Sequence, residues 1–288
     1  MIKERIYIRI YISVYISICM SIICYHNAGF FSCCSVKFQQ IIKYINDNNL
    51  KFPDLVDSSQ QFNWYKELLN EDITFNYFEH YDNINEIMIK KIPVKNISDY
   101  DYYQYSIYQL IDFDSIKPVT TKYFSPSKNI LNIIQNMEKK YNIDYNNICV
   151  LFYRGNDKNR ETLICDYSEY LIYANKILDI NPNILFLIQS DETEFINFIS
   201  ERFPNNSFYF NDEIRHISKC DNTVDIIMKD KNPIFSKYYL AITIIMSKCK
   251  YIICGSGNCS LWIILYRGNN NNIIQNLNNK WYYNISNI

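Results

Sequence analysis

The chain has 288 residues, with 29 basic and 30 acidic side chains, a formal net charge of −1 and no long basic run. A general nucleic-acid-binding protein presents a basic face, so this balance argues against that class. Hydrophobic residues make up 48% of the sequence, which is enough for a sizeable core in one large domain or two smaller ones.

The first 25 residues combine two patterns. Residues 6–25 have the length of a membrane span. However, Ile or Val occupies every second position from Ile6 to Ile18, which is a strand period, and Arg9 lies inside the run. Two interpretations stay open: residues 1–19 are a leader foreign to the folded protein, or residues 6–25 anchor it in a membrane.

Residues 20–115 are predicted to form a first α/β unit. A strand over residues 21–27 leads into a loop around Gly29, and residues 36–45 have helical spacing. Helical spacing also covers residues 60–69 and 102–110, and a strand is predicted near residues 73–77. Residues 116–129 carry two prolines and are the predicted linker.

After the linker, strands and helices alternate to near the end of the chain. Helices are predicted at 127–141, 167–178, 192–203, 234–247 and 260–266, and strands at 147–153, 184–189, 207–210 and 251–254. This alternation predicts a doubly wound parallel sheet, in which ligands bind at the carboxyl ends of the strands.

Ten cysteines and three histidines show neither a disulfide-scaffold spacing nor a zinc-ligand spacing. Buried, reduced thiols are typical of intracellular proteins. We therefore predict a cytoplasmic location and no metal site. His80 and His216 are predicted to be surface residues.

Glycine is scarce, and its positions are informative. Four of the five glycines follow predicted strand ends, where a backbone turns tightly or approaches a ligand closely. Several polar residues fall at the same edge. This set predicts a ligand site: Gly29, Gly155, Gly255, Gly257, Arg154, Asp157, Ser190, Asp191 and Ser256.

The segment CGSGNCS, Cys254–Ser260, connects a strand to a helix. Backbone amides at a helix N-terminus suit a phosphate, and Arg154 could supply a bidentate cation from the neighbouring loop. No acidic residue follows at the spacing of a dinucleotide fingerprint, and no Walker lysine is present. The pattern favours a nucleoside diphosphate over a dinucleotide, and disfavours a Rossmann enzyme that modifies sugar nucleotides.

Three segments resemble, in order and spacing, the motifs of the alpha-1,6 and related, nodulation-type fucosyltransferases. They are FYRGNDKNRET (152–162), LFLIQSDETEFINFISERFPNNSFYFND (185–212) and SKCKYIICGSGNCSLWIILYRGN (247–269). The resemblance implies a GT-B fold, in which two Rossmann-like domains with parallel sheets face a cleft. Residues 20–115 would form the acceptor-side domain, and residues 130–288 the domain that binds the nucleotide sugar.

The same resemblance implies an activity. It is metal-independent, inverting transfer of a sugar, by default fucose from GDP-fucose, to a glycan or glycoprotein, with no cofactor. Arg154 would hold the donor β-phosphate, and Asp157, Glu161 and His26 are candidate catalytic bases. The implied donor-binding residues are Arg154, Gly155, Lys158, Ser190, Asp191, Glu192, Ser256, Gly257, Asn258 and Ser260, and the acceptor-side loop holds His26, Asn27 and Gly29.

Three positions depart from the family pattern. Gly155 stands where a second basic residue follows the arginine, and Phe152 stands where a histidine precedes it. Ala241 and Ile242 lie where an acidic residue reads the guanine edge. These departures leave another nucleotide sugar open. They also favour the rival interpretation of a non-catalytic relative that binds a glycan or a protein partner.

Overall fold

The computed structural model describes residues 21–68, 71–79 and 103–285. The predicted leader over residues 1–19 lies outside the described residues, as does His80. Of the predicted anchor over residues 6–25, only residues 21–25 are described, and they belong to a strand. Within the described ranges, no helix has both the length and the apolar character needed to cross a bilayer.

The amino-terminal unit contains a βαβ motif. Strand β1 (Ser21–His26) and strand β2 (Leu55–Gln61) pair in parallel, and helix α1 (Phe30–Asp47) connects them. Helix α1 buries one apolar stripe that includes Phe38 and Ile41, as its spacing predicts.

Three segments between β2 and residue 110 differ from prediction. The described part of residues 60–69 begins inside β2 and continues as a single 3₁₀ turn, Asn63–Tyr65. The predicted strand near residues 73–77 is one α-helical turn, Thr74–Tyr77, which precedes the short strand β3 (Phe78–Glu79). In the described part of residues 102–110, the helical element is one 3₁₀ turn, Tyr108–Leu110.

The two predicted helices are wrong because single tyrosines in irregular segments are buried there. Tyr65 and Tyr108 are each at most 2% exposed, so they imitate the apolar spacing of a helix in the two segments predicted as helices. Buried tyrosine hydroxyls need partners. The Tyr65 hydroxyl accepts a hydrogen bond from Phe30 N at 2.7 Å, and Tyr77 pairs with the Ser236 hydroxyl at 2.7 Å.

The predicted linker is largely regular structure. Residues 116–124 belong to helix α2 (Phe113–Phe124), which contains Pro118, and strand β4 (Ser125–Pro126) pairs with β3. A proline inside a helix costs about 3 kcal/mol, whereas burying one large apolar side chain yields about 1.5–3 kcal/mol. Several buried side chains, including Val119 and Phe124, offset that cost. The domain boundary in this region stays a prediction.

Helix α3 (Lys128–Lys140) lies within the predicted helix over residues 127–141, has Ser127 as its N-cap, and leads into the main sheet. The strands are β5 (Ile148–Tyr153), β6 (Leu185–Ser190), β7 (Ser207–Phe208), β8 (Tyr251–Gly255), β9 (Ile273–Leu277) and β10 (Lys280–Tyr283). The longer helices are α4 (Tyr167–Ile180), α5 (Thr193–Arg202), α6 (Asn232–Lys248) and α7 (Asn258–Arg267). The predicted alternation is confirmed, while β9 and β10 were not predicted.

The sheet has the order β10-β9-β8-β5-β6-β7 and is parallel except for β10. Alternate residues of β5 enter two separate cores. Val150 and Phe152 face the core shared with α6 and α7, and Leu151 and Tyr153 face the core shared with α4 and α5.

The chain order reverses between β5 and β8, so the topological switch point of the sheet lies there. Phe152 pairs with Cys254 across this junction. Arg154 and Gly257, which follow these two strands, therefore meet at the edge where parallel α/β sheets bind ligands.

All nine cysteines among the described residues are free thiols, and eight of them are buried. Their burial fits the prediction from the spacing.

Candidate functional site

Arg154 follows β5 and is held by three neighbours. Its Nε lies 3.1 Å from Asp191 Oδ2 as an ion pair, its Nη2 lies 3.5 Å from Asp157 Oδ1, and its Nη1 donates to the Tyr239 hydroxyl at 3.3 Å. Burial acts to lower the pKa of Arg154, but Asp191, Tyr239 and Asp157 raise it above its ordinary value. The guanidinium is therefore a fixed, permanent positive charge.

A cleft of about 210 Å³ separates Arg154 from the amino-terminal unit. Its two walls come from opposite halves of the sequence. They include Gly29, Phe31 and Trp64 on one side, and Arg154, Asp157, Lys158, Glu161, Gly257 and Asn258 on the other.

A charged pair occupies one end of the cleft. Lys158 Nζ donates to Glu161 Oε2 at 2.7 Å, and the Tyr105 hydroxyl donates to the same oxygen at 2.6 Å. Burial acts to raise the pKa of Glu161, but these two hydrogen bonds outweigh it and lower the pKa below its ordinary value. Glu161 is therefore a carboxylate at neutral pH.

The N-terminus of α7 forms another part of the wall. Gly257 is the N-cap, and Asn258 and Cys259 line the cleft. The buried Tyr108 hydroxyl donates to Gly257 O at 3.4 Å, which fixes the approach to the helix. The first amides of a helix and its dipole attract anions, so this wall and the Arg154 guanidinium both favour an anion in the cleft.

A second, smaller cavity of about 30 Å³ lies beside Arg154. It shares Arg154, Asp225 and Tyr239 with the cleft. Its other walls include Phe152, Gln189, Arg215, Phe235 and Ile242.

No protein-family model matches the chain, and no curated protein matches it in sequence. Several solved structures do match. NodZ alpha-1,6-fucosyltransferase soaked with GDP-fucose has a TM-score of 0.57 and 10% identity, covering 92% of this chain and 99% of its own. The same enzyme co-crystallised with GDP has a TM-score of 0.56 and 11% identity, with 89% and 94% covered.

A third structure, fucosyltransferase NodZ from Bradyrhizobium, has a TM-score of 0.53 and 10% identity, with 89% and 95% covered. The chain has a fucosyltransferase-like fold. The similarity spans both walls of the cleft, because nearly the whole chain is aligned. Identity near 10% limits the likeness to the fold, so the role of each residue rests on its own surroundings.

Within this fucosyltransferase-like fold, the group that Gly155 approaches closely is a side chain of the protein, the Glu192 carboxylate. Glu192 is fully buried, and a Cβ built at Gly155 would overlap its carboxylate. That carboxylate accepts from Asn156 N at 2.6 Å and from the Tyr167 hydroxyl. Asp191 accepts from Gly155 N at 2.9 Å. Asp191 and Glu192 thus build the loop that carries Arg154.

The three predicted serines bond within the protein and do not line the cleft. Ser190 Oγ accepts from Glu192 N at 3.0 Å, and Ser260 is a hydrogen-bond partner of Tyr108. Ser256 Oγ donates to Asn276 O at 2.7 Å. These hydroxyls shape the strand ends.

On the acceptor side, Gly29 lines the cleft, but His26 and Asn27 do not. His26 Nε2 pairs with the Ser32 hydroxyl at 2.8 Å, and burial lowers the pKa of His26. Asn27 Oδ1 accepts from Asn63 N at 3.1 Å, which ties the loop to the end of β2. His216 is half-buried and pairs with Thr193 at 2.7 Å.

Sequence reasoning missed Asp225, Tyr239 and Arg215. Arg215 Nη1 donates to Asp225 Oδ1 at 3.0 Å, in the wall between the two cavities. These residues lie 61 to 85 positions after Arg154, and no motif links them to it. Tyr239 alone carried a usable signal, because it falls on the helix that precedes the CGSGNCS segment.

Proposed function

We propose that the protein transfers a sugar from a nucleoside diphosphate donor to a hydroxyl of a glycan or glycoprotein, with inversion and without a metal or cofactor. Residues 130–288 would hold the donor, and residues 20–115 the acceptor, as the two Rossmann-like halves of a GT-B enzyme. One observation carries the proposal: a fixed Arg154 faces a two-walled cleft at the switch point of the sheet.

Arg154 would stabilise the leaving diphosphate. Negative charge grows on that group as its bond to the anomeric carbon breaks. The partly buried Arg154 guanidinium and the N-terminus of α7 already face the site, so little reorganisation is needed when the charge forms. Lys158 would add a second positive charge from the same wall.

Glu161 would act as the base. Its carboxylate takes the proton of the acceptor hydroxyl while that oxygen forms its bond to the anomeric carbon. Lys158 and Tyr105 occupy Oε2, so Oε1 is the oxygen for the substrate. Asp157 would keep Arg154 oriented, and Gly29, Phe31 and Trp64 would contact the acceptor.

The default donor is GDP-fucose, because solved structures of similar fold are of a fucosyltransferase with GDP-fucose or GDP. This makes GDP the first nucleotide to test, with UDP beside it.

One observation favours a non-catalytic relative as the second candidate. The Glu192 carboxylate fills the space beside Gly155, so the position directly after Arg154 has no room for a second basic side chain. Such a protein would bind a glycan or a partner through the same cleft and would leave the donor intact.

A thermal-shift panel of GDP, UDP and their sugars tests the proposal, with Arg154→Ala as the site variant. Arg202→Ala, at an exposed position on α5, is the matched control. We expect at least one nucleotide to raise the melting temperature of the wild type and the control, but not that of Arg154→Ala. No shift with any nucleotide would overturn the donor site. A shift without donor consumption would favour the second candidate.

A further inference from the structure

A group of exposed isoleucines lies beside the cleft and has no part in the proposed reaction. Ile226 and Ile227 end the helical turn Val224–Ile227, and Ile234 lies in the first turn of α6. Their exposed fractions are 51%, 51% and 63%. A single exposed apolar side chain is ordinary on a protein surface, but several close together mark an interaction site.

Hydrogen bonds hold the segment that carries these isoleucines in a compact shape. Asn232 Nδ2 donates to Asp225 O at 2.9 Å, so the chain between these two residues closes on itself. Within that closed stretch, Met228 N donates to Val224 O at 2.8 Å and Lys231 N donates to Met228 O at 3.0 Å. The isoleucines are therefore presented to solvent by an ordered, hydrogen-bonded turn.

Lysines stand beside the isoleucines. Lys229 and Lys231 are exposed on the 3₁₀ turn that connects the helical turn to α6. Residues 226–237 hold three lysines and one aspartate, so their net charge is +2 in a chain whose net charge is −1. The Asp225 carboxylate does not oppose this charge, because it is paired with Arg215 Nη1 at 3.0 Å.

This combination distinguishes a lipid surface from a protein partner. Protein interfaces are enriched in aromatic residues and arginine and are depleted of lysine. On a membrane surface, apolar side chains enter the boundary between head groups and acyl chains, and lysines beside them attract anionic head groups. A lysine can also cover apolar surface with its methylene groups while its ammonium reaches a head group. Isoleucines flanked by lysines therefore fit an anionic bilayer better than a protein.

We infer that an isoleucine–lysine patch, formed by Ile226, Ile227, Ile234, Lys229 and Lys231, docks the protein on an anionic lipid bilayer. The isoleucines enter the boundary between head groups and acyl chains, and the two ammonium groups contact the anionic head groups. The inference is independent of the proposed function and of residues 6–25.

Docking through this patch has a consequence for the cleft. Thr223 and Asp225, which lie directly before the patch in the chain, line the cleft. The docked protein therefore holds this side of the cleft close to the lipid surface, where a substrate carried by the membrane is within reach.

Flotation of the full-length protein with lipid vesicles tests the inference. One set of vesicles contains phosphatidylcholine with about one-third phosphatidylserine, and the other contains phosphatidylcholine alone. We expect binding to the anionic vesicles and much weaker binding to the neutral ones, and added salt should weaken the former by screening the lysines. Equal binding to both sets, or binding to neither, would overturn the inference.

Variants assign the binding to the patch. Ile226→Ser combined with Ile227→Ser should weaken binding to anionic vesicles by about tenfold or more. Lys229→Gln combined with Lys231→Gln should weaken it by about tenfold, since each lysine near the surface adds to the attraction. Ile172→Ser is the matched control, because Ile172 is 55% exposed on α4, and it should bind as the wild type does.

Unchanged binding by both patch variants, with folding checked by their melting transitions, would overturn the inference and assign the binding to another part of the chain, such as residues 6–25. Size-exclusion chromatography tests the other occupant, a second copy of the chain. We expect a monomer for the wild type without lipid. A wild-type dimer that the variant with serine at both isoleucine positions, Ile226 and Ile227, converts to a monomer would overturn the assignment to lipid.

Discussion

The loop after β5 and the loop after β1 form opposite walls of one cleft, and different interactions hold them. Buried charges fix the first loop, where Asp191 and Glu192 accept hydrogen bonds from Gly155 and Asn156. Aromatic packing fixes the second, where Phe30 contacts several rings and donates to the Tyr65 hydroxyl. The charged wall suits a phosphate and the aromatic wall suits a sugar, so each wall's construction matches its proposed ligand.

The largest expected effect comes from the charged wall. Arg154→Ala should lower donor turnover by about 10²–10³, the usual loss when one preorganised donor to a developing charge is removed. Arg154→Lys should recover only part, because an ammonium lacks the planar bidentate fork. Steady-state rates of nucleoside diphosphate release measure both, with Arg202→Ala as the control. Equal rates for wild type and Arg154→Ala would remove Arg154 from the chemistry.

Gly155→Ala should destabilise the protein by about 1–3 kcal/mol, because its new methyl group would overlap the Glu192 carboxylate. Gly29→Ala is a matched glycine on the aromatic wall. A Cβ there would meet its nearest neighbour, Asp225 Oδ2, at an ordinary 3.7 Å, so its stability should change little. Urea unfolding measures both free energies. Equal losses would show that the close contact at Gly155 relaxes freely.

Tyr65→Phe tests the aromatic wall. It removes the buried hydroxyl that accepts from Phe30 N, so the free energy of unfolding should fall by about 1–2 kcal/mol. Tyr25→Phe is the control, since Tyr25 is 63% exposed on β1. A loss no larger than that of the control would mean that ring packing alone holds the loop after β1.

The smallest expected effect is a displaced pH profile. The pKa of Glu161 lies below its ordinary value, so the carboxylate and its stabilising pairs persist through neutral pH and are lost as the pH falls through that lowered pKa. Lys158→Gln removes one cause of the lowering while burial remains, so the pKa should rise. The acid limb of turnover should then move to higher pH. If the acid limb of turnover does not move, Glu161 is not the group whose titration sets that limb.

The two walls also differ in how far the sequence predicts them. Beyond residue 127, periodic apolar runs separate strands from helices, and the spacing places Arg154, Lys158 and Asn258 at one edge of the sheet. Strand β9 escapes prediction because the polar residues Gln275 and Asn276 are buried in it, and Gln275 Oε1 accepts from the distant Tyr108 N. In the amino-terminal half, isolated buried tyrosines produce a false helical spacing.

The sequence alone does not show which of the predicted site residues face the cleft. Asp191 and Glu192 occupy motif positions, yet their carboxylates turn inward because three backbone or hydroxyl donors from the loop and α4 meet them. Asp225 lies on a short helical turn, Val224–Ile227, and hydrogen bonds to Arg215 and Asn232 hold it at the site. The sequence pattern predicts where the strands end, but hydrogen-bond partners that are brought together only by the fold decide which side chains face the cleft.

In the proposed reaction, Arg154 holds the diphosphate of a sugar donor during transfer. The most direct test follows release of nucleoside diphosphate from a panel of GDP- and UDP-sugars, with wild-type protein and with folded Arg154→Ala. We expect release by the wild type from at least one donor and a rate at least about 10²-fold lower in the variant. Release from no donor, or release at equal rates by both proteins, would contradict it.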